Sequence, residues 1–285
     1  MAASSNSVRP QRFSPSKLWH WLNHTPYFAA IITSLYAGLL LVGILHHEIW
    51  RDEMQAWLVA RDSASLGELL FQNLRYEGTP AFWYICLFFL TRLTHNPIAM
   101  QLANMGFMVG AIYLLTQFSP LSRLQKLLFI FGYFPLFEYG IISRNYASGL
   151  FFCFCFCLLY PLRHKQYFPL ALGLAFLSQT SAYGLLISAT FGVFLGIDFL
   201  WTHRQTLVQS LQAQFWDLSL SSTLMIASAL TAGLTMLPPP DRGWGTEVTV
   251  WSTFKLLATP AILWNAFIPI PEPHYTFWNT NIVHL

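Results

Sequence analysis

The sequence predicts an all-α, polytopic membrane protein with about seven transmembrane helices and surface helices in its first outside loop. Three observations carry that prediction. Of the 285 residues, 55% are hydrophobic and only 9% are charged, against about 25% charged in soluble domains. Several apolar runs reach the roughly 20 residues that a spanning helix needs. The alternating segments of about ten residues that mark a membrane-spanning strand barrel are missing from the sequence. The small net charge of +3 gives no reason to expect a nucleic-acid partner; membrane lipids are the expected surroundings.

Residues 1–26 form a polar arm carrying Arg9, Arg12 and Lys17, with Trp19-His20-Trp21 as an interfacial anchor. The arm lacks the apolar core and small-residue cleavage site of a signal peptide. Its basic residues place the N-terminus inside, in the cytoplasm, with the remainder, 27–285, held in the membrane. Tyr27–Leu45 is the first span, and 46–97 is the first outside loop. In that loop Asp52 caps a short helix over 53–61. Ser65-Leu66-Gly67-Glu68 fits a capping box that starts a second helix running to about Leu74. Leu66, Leu69 and Leu70 share one face of that helix, so it lies on the membrane with the leucines inward.

The apolar run 81–93 is short for a span. Were it to cross, Arg123, Lys126 and the Arg163-His164-Lys165 cluster would all fall outside, against the positive-inside rule. It is therefore expected to dip into the outer leaflet. Alternation then places spans at 98–117, 127–142, 146–162, 167–179, 185–201 and 218–237. A second outside segment, 238–285, is interrupted by Pro260 and Pro269 and is expected to be incomplete, as in a C-terminally truncated chain. On this scheme ten acids and seven bases lie outside, and two acids and eight bases inside. The acids do not set topology, but their pooling on one face shows where polar chemistry would occur. Cys153 and Cys157 share a helix face inside one apolar run and, like Cys155, read as small buried hydrophobes.

His46-His47-Glu48-Ile49-Trp50-Arg51-Asp52-Glu53 concentrates charge just past the first span. The bland reading is a solvated helix start with carboxylates near the N-terminal dipole. The sharper one is acid/base chemistry at the membrane surface. An inverting sugar transfer from a lipid phosphate needs a carboxylate to take the acceptor's proton and positive charge, or a metal, against the leaving phosphate. Asp52-Glu53 suits the first need, and Arg144 and Arg75 suit the second. Tyr146 would pack beside Arg144. Glu138, deeper in the membrane, is costly to leave unpaired. The turn Arg75-Tyr76-Glu77-Gly78-Thr79-Pro80 is either a plain connection or a device that holds Glu77 over the site. His46 and His47 are either interfacial or ligands, with Glu48 or Asp52, of a divalent metal, the one cofactor the pattern allows for.

In their order these elements resemble the GT-C superfamily of membrane glycosyltransferases. The likeness is to the bacterial RgtA/B/C/D-like branch, related to protein mannosyltransferases and lipid A aminoarabinose transferases. The matching features are the acidic pair Asp52-Glu53 after the first span, then Glu77-Gly78-Thr79-Pro80 before a half-buried helix, and Arg144-Asn145-Tyr146 at a later span end. They cover roughly residues 27–200. The chain departs from many relatives at Thr79-Pro80, where two prolines or His-Pro are common, and at Met100-Gln101, where several carry arginine. The resemblance implies transfer of a sugar from a polyprenyl-phosphate-linked donor to a lipid or glycan acceptor at the extracytoplasmic face. It implies Asp52 as general base, Glu53 as its support or a metal ligand, and Arg144 at the donor phosphate. The competing readings are a non-catalytic transporter or scaffold, which would want polar residues at mid-membrane depth, and an inactive fragment of a transferase.

Overall fold

The structure, a computed structural model, describes residues 27–239. The expected arm at 1–26, and the outside segment from 240 onward with Trp244, Trp251 and Trp264, lie outside the described residues. Among the described residues there are helices and turns and no strands. The helices are α1 Phe28–His46, α2 Arg51–Asp62, α3 Leu66–Glu68, α4 Phe82–Leu93, α5 Ile98–Phe118, α6 Arg123–Ile130, α7 Tyr146–Leu159, α8 Phe168–Ser178, α9 Ala182–Thr202, α10 Leu207–Ala213 and α11 Phe215–Met236. Five stretches are long and apolar enough to cross a membrane: α1, α5, α7 with its tighter continuation to His164, α9 and α11. This is the construction of an all-α membrane protein.

Lipid-facing and core-facing residues separate cleanly on α1. Ile32, Tyr36, Leu40 and Ile44 recur every fourth residue and are buried, while Leu35, Leu39 and Val42 are exposed. In water such exposed apolar surface would drive association; against acyl chains it is the expected outer face. The short α8 is the opposite case. Leu170, Ala171, Gly173, Leu174, Ala175, Leu177 and Ser178 are all buried, because α7, α9 and α11 pack around it. Its small residues permit that close approach.

Contacts at the helix ends fix an alternating order. Thr33 and Thr116 hydroxyls lie 3.4 Å apart and the Arg123 guanidinium sits 4.7 Å from the centre of the Phe28 ring, so α5 runs antiparallel to α1. Arg163 pairs with Asp198 at 3.3 Å, and both Asp217 carboxylate oxygens accept from the Tyr167 and Phe168 amides, at 2.6 and 3.0 Å. These contacts gather at the end of the bundle that holds Phe28. Asp217 thereby caps α8 from α11, filling two donor positions that a helix start leaves open. The other end holds the C-terminus of α1, the start of α7 and the start of α9.

The outside loop largely follows its sequence signals. Ser65 Oγ accepts from the Glu68 amide at 3.1 Å, and Glu68 returns to the Ala64 amide at 2.9 Å. Beyond α3 the helix loosens and tightens again through Tyr76, with Leu69 and Leu74 fully buried. These leucines pack into one cluster with Trp57, Trp83 and Leu87. At 12 residues, α4 is about 18 Å long, short of the roughly 30 Å hydrocarbon core. It lies along α2, and Arg92 donates to the Arg61 and Ser63 carbonyls at the C-terminus of α2.

Two expectations are corrected. Asp52 does not cap α2. Trp50 occupies the N-cap position, and Glu53 accepts its amide proton at 2.8 Å, leaving Asp52 in the first turn. Nor is 127–142 one continuous helix. It divides into α6, which ends at Ile130, and a wide turn Phe134–Glu138 followed by irregular backbone to Asn145. Pro135 has no amide to donate. A Cβ on Gly140 would meet Leu40 Cδ2 at 2.5 Å and the Leu136 and Pro135 carbonyl oxygens at 2.6 and 2.8 Å. The freed carbonyls are met by side chains. Asn104 Nδ2 donates to Tyr139 and Gly140 oxygens at 2.9 and 3.1 Å, and the Tyr36 hydroxyl donates to Pro135.

Gly140→Ala should therefore lower the thermal unfolding midpoint in detergent, at a cost of about 1–3 kcal/mol from overpacking. Gly38→Ala, whose Cβ meets nothing within 4 Å, should be neutral or stabilising by up to about 1 kcal/mol. Equal midpoints for the two variants would contradict this packing.

Candidate functional site

Glu53 organises the region. Its side chain is fully buried and takes three hydrogen bonds, two from the 47–50 connection and one from a distant part of the chain. The His47 imidazole Nε2, just past the end of α1, lies 2.9 Å from Oε2. A carboxylate only accepts, so this nitrogen carries the proton. The Trp50 amide donates to the same oxygen at 2.8 Å, and the Ser143 amide, 90 positions further along the chain, donates to Oε1 at 2.6 Å. A buried carboxylate is stable only with such saturation.

The adjacent residues are brought together as a result. Asp52 follows Trp50-Arg51 into the first turn of α2, and Arg144 follows Ser143. Asp52 Oδ2 and Arg144 Nη1 stand 3.5 Å apart, and both side chains remain substantially exposed, at 56% and 39%. The Arg144 guanidinium lies 5.5 Å from the centre of the Tyr146 ring, and Tyr146 packs on Tyr139 with ring centres 5.6 Å apart. The pair is thus accessible, while the residues that position it are enclosed.

The other sequence candidates occupy distinct places. Glu77 accepts from Gln55 Nε2 at 2.9 Å and from the Tyr84 hydroxyl at 3.1 Å, which ties the turn before α4 to α2. Burial, and then the neighbouring Glu77 charge and hydrogen bond, hold the Tyr84 phenol above its ordinary range. Tyr84 therefore stays protonated as the donor. The Arg144 charge acts on the same phenol in the opposite direction. Arg75 is not beside Asp52; its Nε donates at 3.2 Å to the Leu237 carbonyl past the end of α11. Arg75 lies on the wall of an apolar cavity of about 890 Å³ between α4, α8 and α11, whose few polar groups include Gln179 and Ser228. Glu138 is half-buried and accepts from the Tyr133 hydroxyl at 3.3 Å. It shares a second, smaller pocket with Tyr139 and Tyr146.

Among the described residues, no three of the His, Cys, Asp and Glu side chains converge. His46 turns back to the Val42 carbonyl at 2.8 Å, and His47 is committed to Glu53. Sequence reasoning missed the role of Ser143 and of Asn104, whose neighbours in the chain give no sign of the backbone groups they meet. For Asn104 the one available signal was a carboxamide in the middle of an apolar run. No protein-family model, no curated protein and no solved structure matches the chain.

Glu53→Ala would leave the buried Ser143 amide, the part-buried Trp50 amide and His47 without an acceptor. We expect a loss of on the order of 3 kcal/mol in unfolding free energy, since each orphaned buried donor costs about 1–3 kcal/mol. Asp52→Asn, at an exposed position, should change stability by no more than about 0.5 kcal/mol. Denaturant titration of the two purified variants checks both values.

Proposed function

We propose that this chain is a glycosyltransferase that moves a sugar from a polyprenyl-phosphate donor to an acceptor at the extracytoplasmic face of a bacterial inner membrane. The observation that carries the reading is the exposed Asp52–Arg144 pair, 3.5 Å apart, at the end of an apolar bundle that also walls a cavity of about 890 Å³. The order of sequence motifs supports the same assignment. The N-terminus is cytoplasmic, and the chain crosses seven times, with 123–145 as the broken crossing. The end of the bundle holding Asp52 then faces outward.

In this reading the donor's isoprenoid chain lies in the apolar cavity, with Arg75 at its wall. The donor phosphate draws the Arg144 guanidinium away from Asp52, because a phosphate offers it more negative charge than a carboxylate. Asp52, freed, accepts the proton of the acceptor hydroxyl. The acceptor oxygen forms its bond to the anomeric carbon as the bond from that carbon to the phosphate oxygen breaks. The electron pair leaves with the phosphate, whose charge Arg144 offsets. Glu53 takes no part in proton transfer: its oxygens are engaged, and it acts by holding Arg144 opposite Asp52.

The charges favour a transferase over a transporter. Asn104, deep in the bundle, is spent on backbone carbonyls, while the exposed acid and base gather at one end.

Asp52→Asn should lower transfer from a radiolabelled polyprenyl-phosphate sugar by at least about 10²-fold, the lower range of general-base effects, with the unfolding midpoint unchanged. Undiminished turnover in that variant would sink the assignment. The topology has its own test. Reporter fusions after residues 95 and 165 should report outside and inside respectively; an outside result at 165 would mean that 81–93 crosses.

A further inference from the structure

We propose that the smaller pocket beside the ion pair is the acceptor subsite and that it takes a neutral sugar ring. The pocket, of about 370 Å³, is walled by Glu138, Tyr139, Tyr146 and Tyr183 on the starts of α7 and α9, where Gly149 and Gly184 pack closely against Thr180. This is near the lower limit of the roughly 300–1,000 Å³ of small-molecule sites. It suits one ring and not an extended peptide.

Three observations decide its chemistry. First, three tyrosine rings stand in the wall, beside the apolar Phe134, Leu150, Leu177 and Ile187. Tyr139 and Tyr146 lie 5.6 Å apart, centre to centre, and Tyr183 is 69% exposed. Such rings offer an apolar face to the C–H side of a pyranose and hydroxyls to its edge. Second, Glu138 supplies an acceptor for sugar hydroxyls. Its carboxylate accepts from the Tyr133 hydroxyl at 3.3 Å, and among the described residues no ion pair includes it. Third, the first turns of α7 and α9 both line the pocket. Their N-terminal dipoles bring positive partial charge that opposes the Glu138 carboxylate. An ammonium would meet the dipoles and a phosphate would meet Glu138, so a neutral polyol is the ligand that neither repels.

The pocket's place gives the sugar its role. Tyr146 lies in the pocket wall and also under Arg144, which pairs with Asp52. The lipid cavity uses Phe176 and Gln179 of the α8 region, whereas this pocket uses Leu177. The two spaces therefore open on different sides of α8, with the base reached from the tyrosine side. Calling the ligand an acceptor rests on the transferase reading; its binding as a neutral sugar does not.

Saturation-transfer NMR on the detergent-purified 285-residue chain tests the site. The probes are methyl α-mannoside, methyl α-glucoside and methyl β-galactoside, with tetramethylammonium and methyl phosphate, whose methyl protons can be read, alongside. At least one glycoside should receive saturation on its ring C–H protons, and more strongly than either ion. Tyr183→Ala, which removes an exposed ring, should weaken that binding about fivefold, the loss of one aromatic contact. Glu138→Gln should weaken it as well. Failure of all three glycosides to bind, binding indifferent to Tyr183→Ala, or a preference for either ion overturns the proposal. Glycoside binding that survives in a chain unable to transfer any sugar would count against the transferase reading alone.

Discussion

The buried Glu53 carboxylate is the constraint on which the rest of this end of the molecule depends. An ionised carboxyl removed from water costs several kcal/mol unless its lone pairs are met. Here three donors meet them: His47 and Trp50 in the connection between α1 and α2, and Ser143, 90 positions away, ahead of α7. The bond to Ser143 is the one that matters for chemistry, because the next residue on each side of it is a site residue. Fixing Glu53 against Ser143 fixes Asp52 against Arg144.

That bond exists only because the chain from 131 to 145 is not a regular helix. Were 127–142 a continuous span, the backbone amides there would be consumed by carbonyls four residues back. Pro135 and Gly140 break the ladder, and a broken ladder inside a membrane must be repaid by neighbouring side chains. Tyr36 and Asn104 meet the Pro135, Tyr139 and Gly140 carbonyls, which leaves the Ser143 amide for Glu53. The irregular crossing and the site are thus one arrangement. The polar side chains deep in α1 and α5 serve the backbone of the segment that delivers Arg144.

Much of this was legible in the sequence, and the remainder fails for identifiable reasons. Apolar run lengths and the basic clusters locate α1, α5, α7, α9 and α11 to within a few residues. The capping signal at Ser65 and Glu68 is correct because a cap is a contact three residues long. The roles within Asp52-Glu53 were not legible. Which of two adjacent carboxylates turns inward depends on Ser143, and no local pattern reveals a partner 90 positions away. The break at Pro135 and Gly140 was signalled by their residue types, but the expected topology required a span there to keep Arg163 and Lys165 inside, and that requirement joined the two halves into one helix. Asp198 and Asp217, the two acids placed on the inner side, proved to be an ion-pair partner and a helix cap.

The contrast between the two neighbouring carboxylates also explains why the exposed one is suited to change partners. A half-solvated pair at 3.5 Å contributes little to stability, roughly 0–1 kcal/mol, because water competes for both charges. Breaking it therefore costs the fold little. Breaking the contacts of Glu53 costs much more, since its donors are enclosed and no water replaces the lost acceptor. Stability and exchangeability are assigned to different side chains one residue apart. An anion arriving at Arg144 can displace Asp52 without loosening the bond that set their separation. Asp52 is left as an unpaired carboxylate beside the tyrosine pocket, in position to accept a proton.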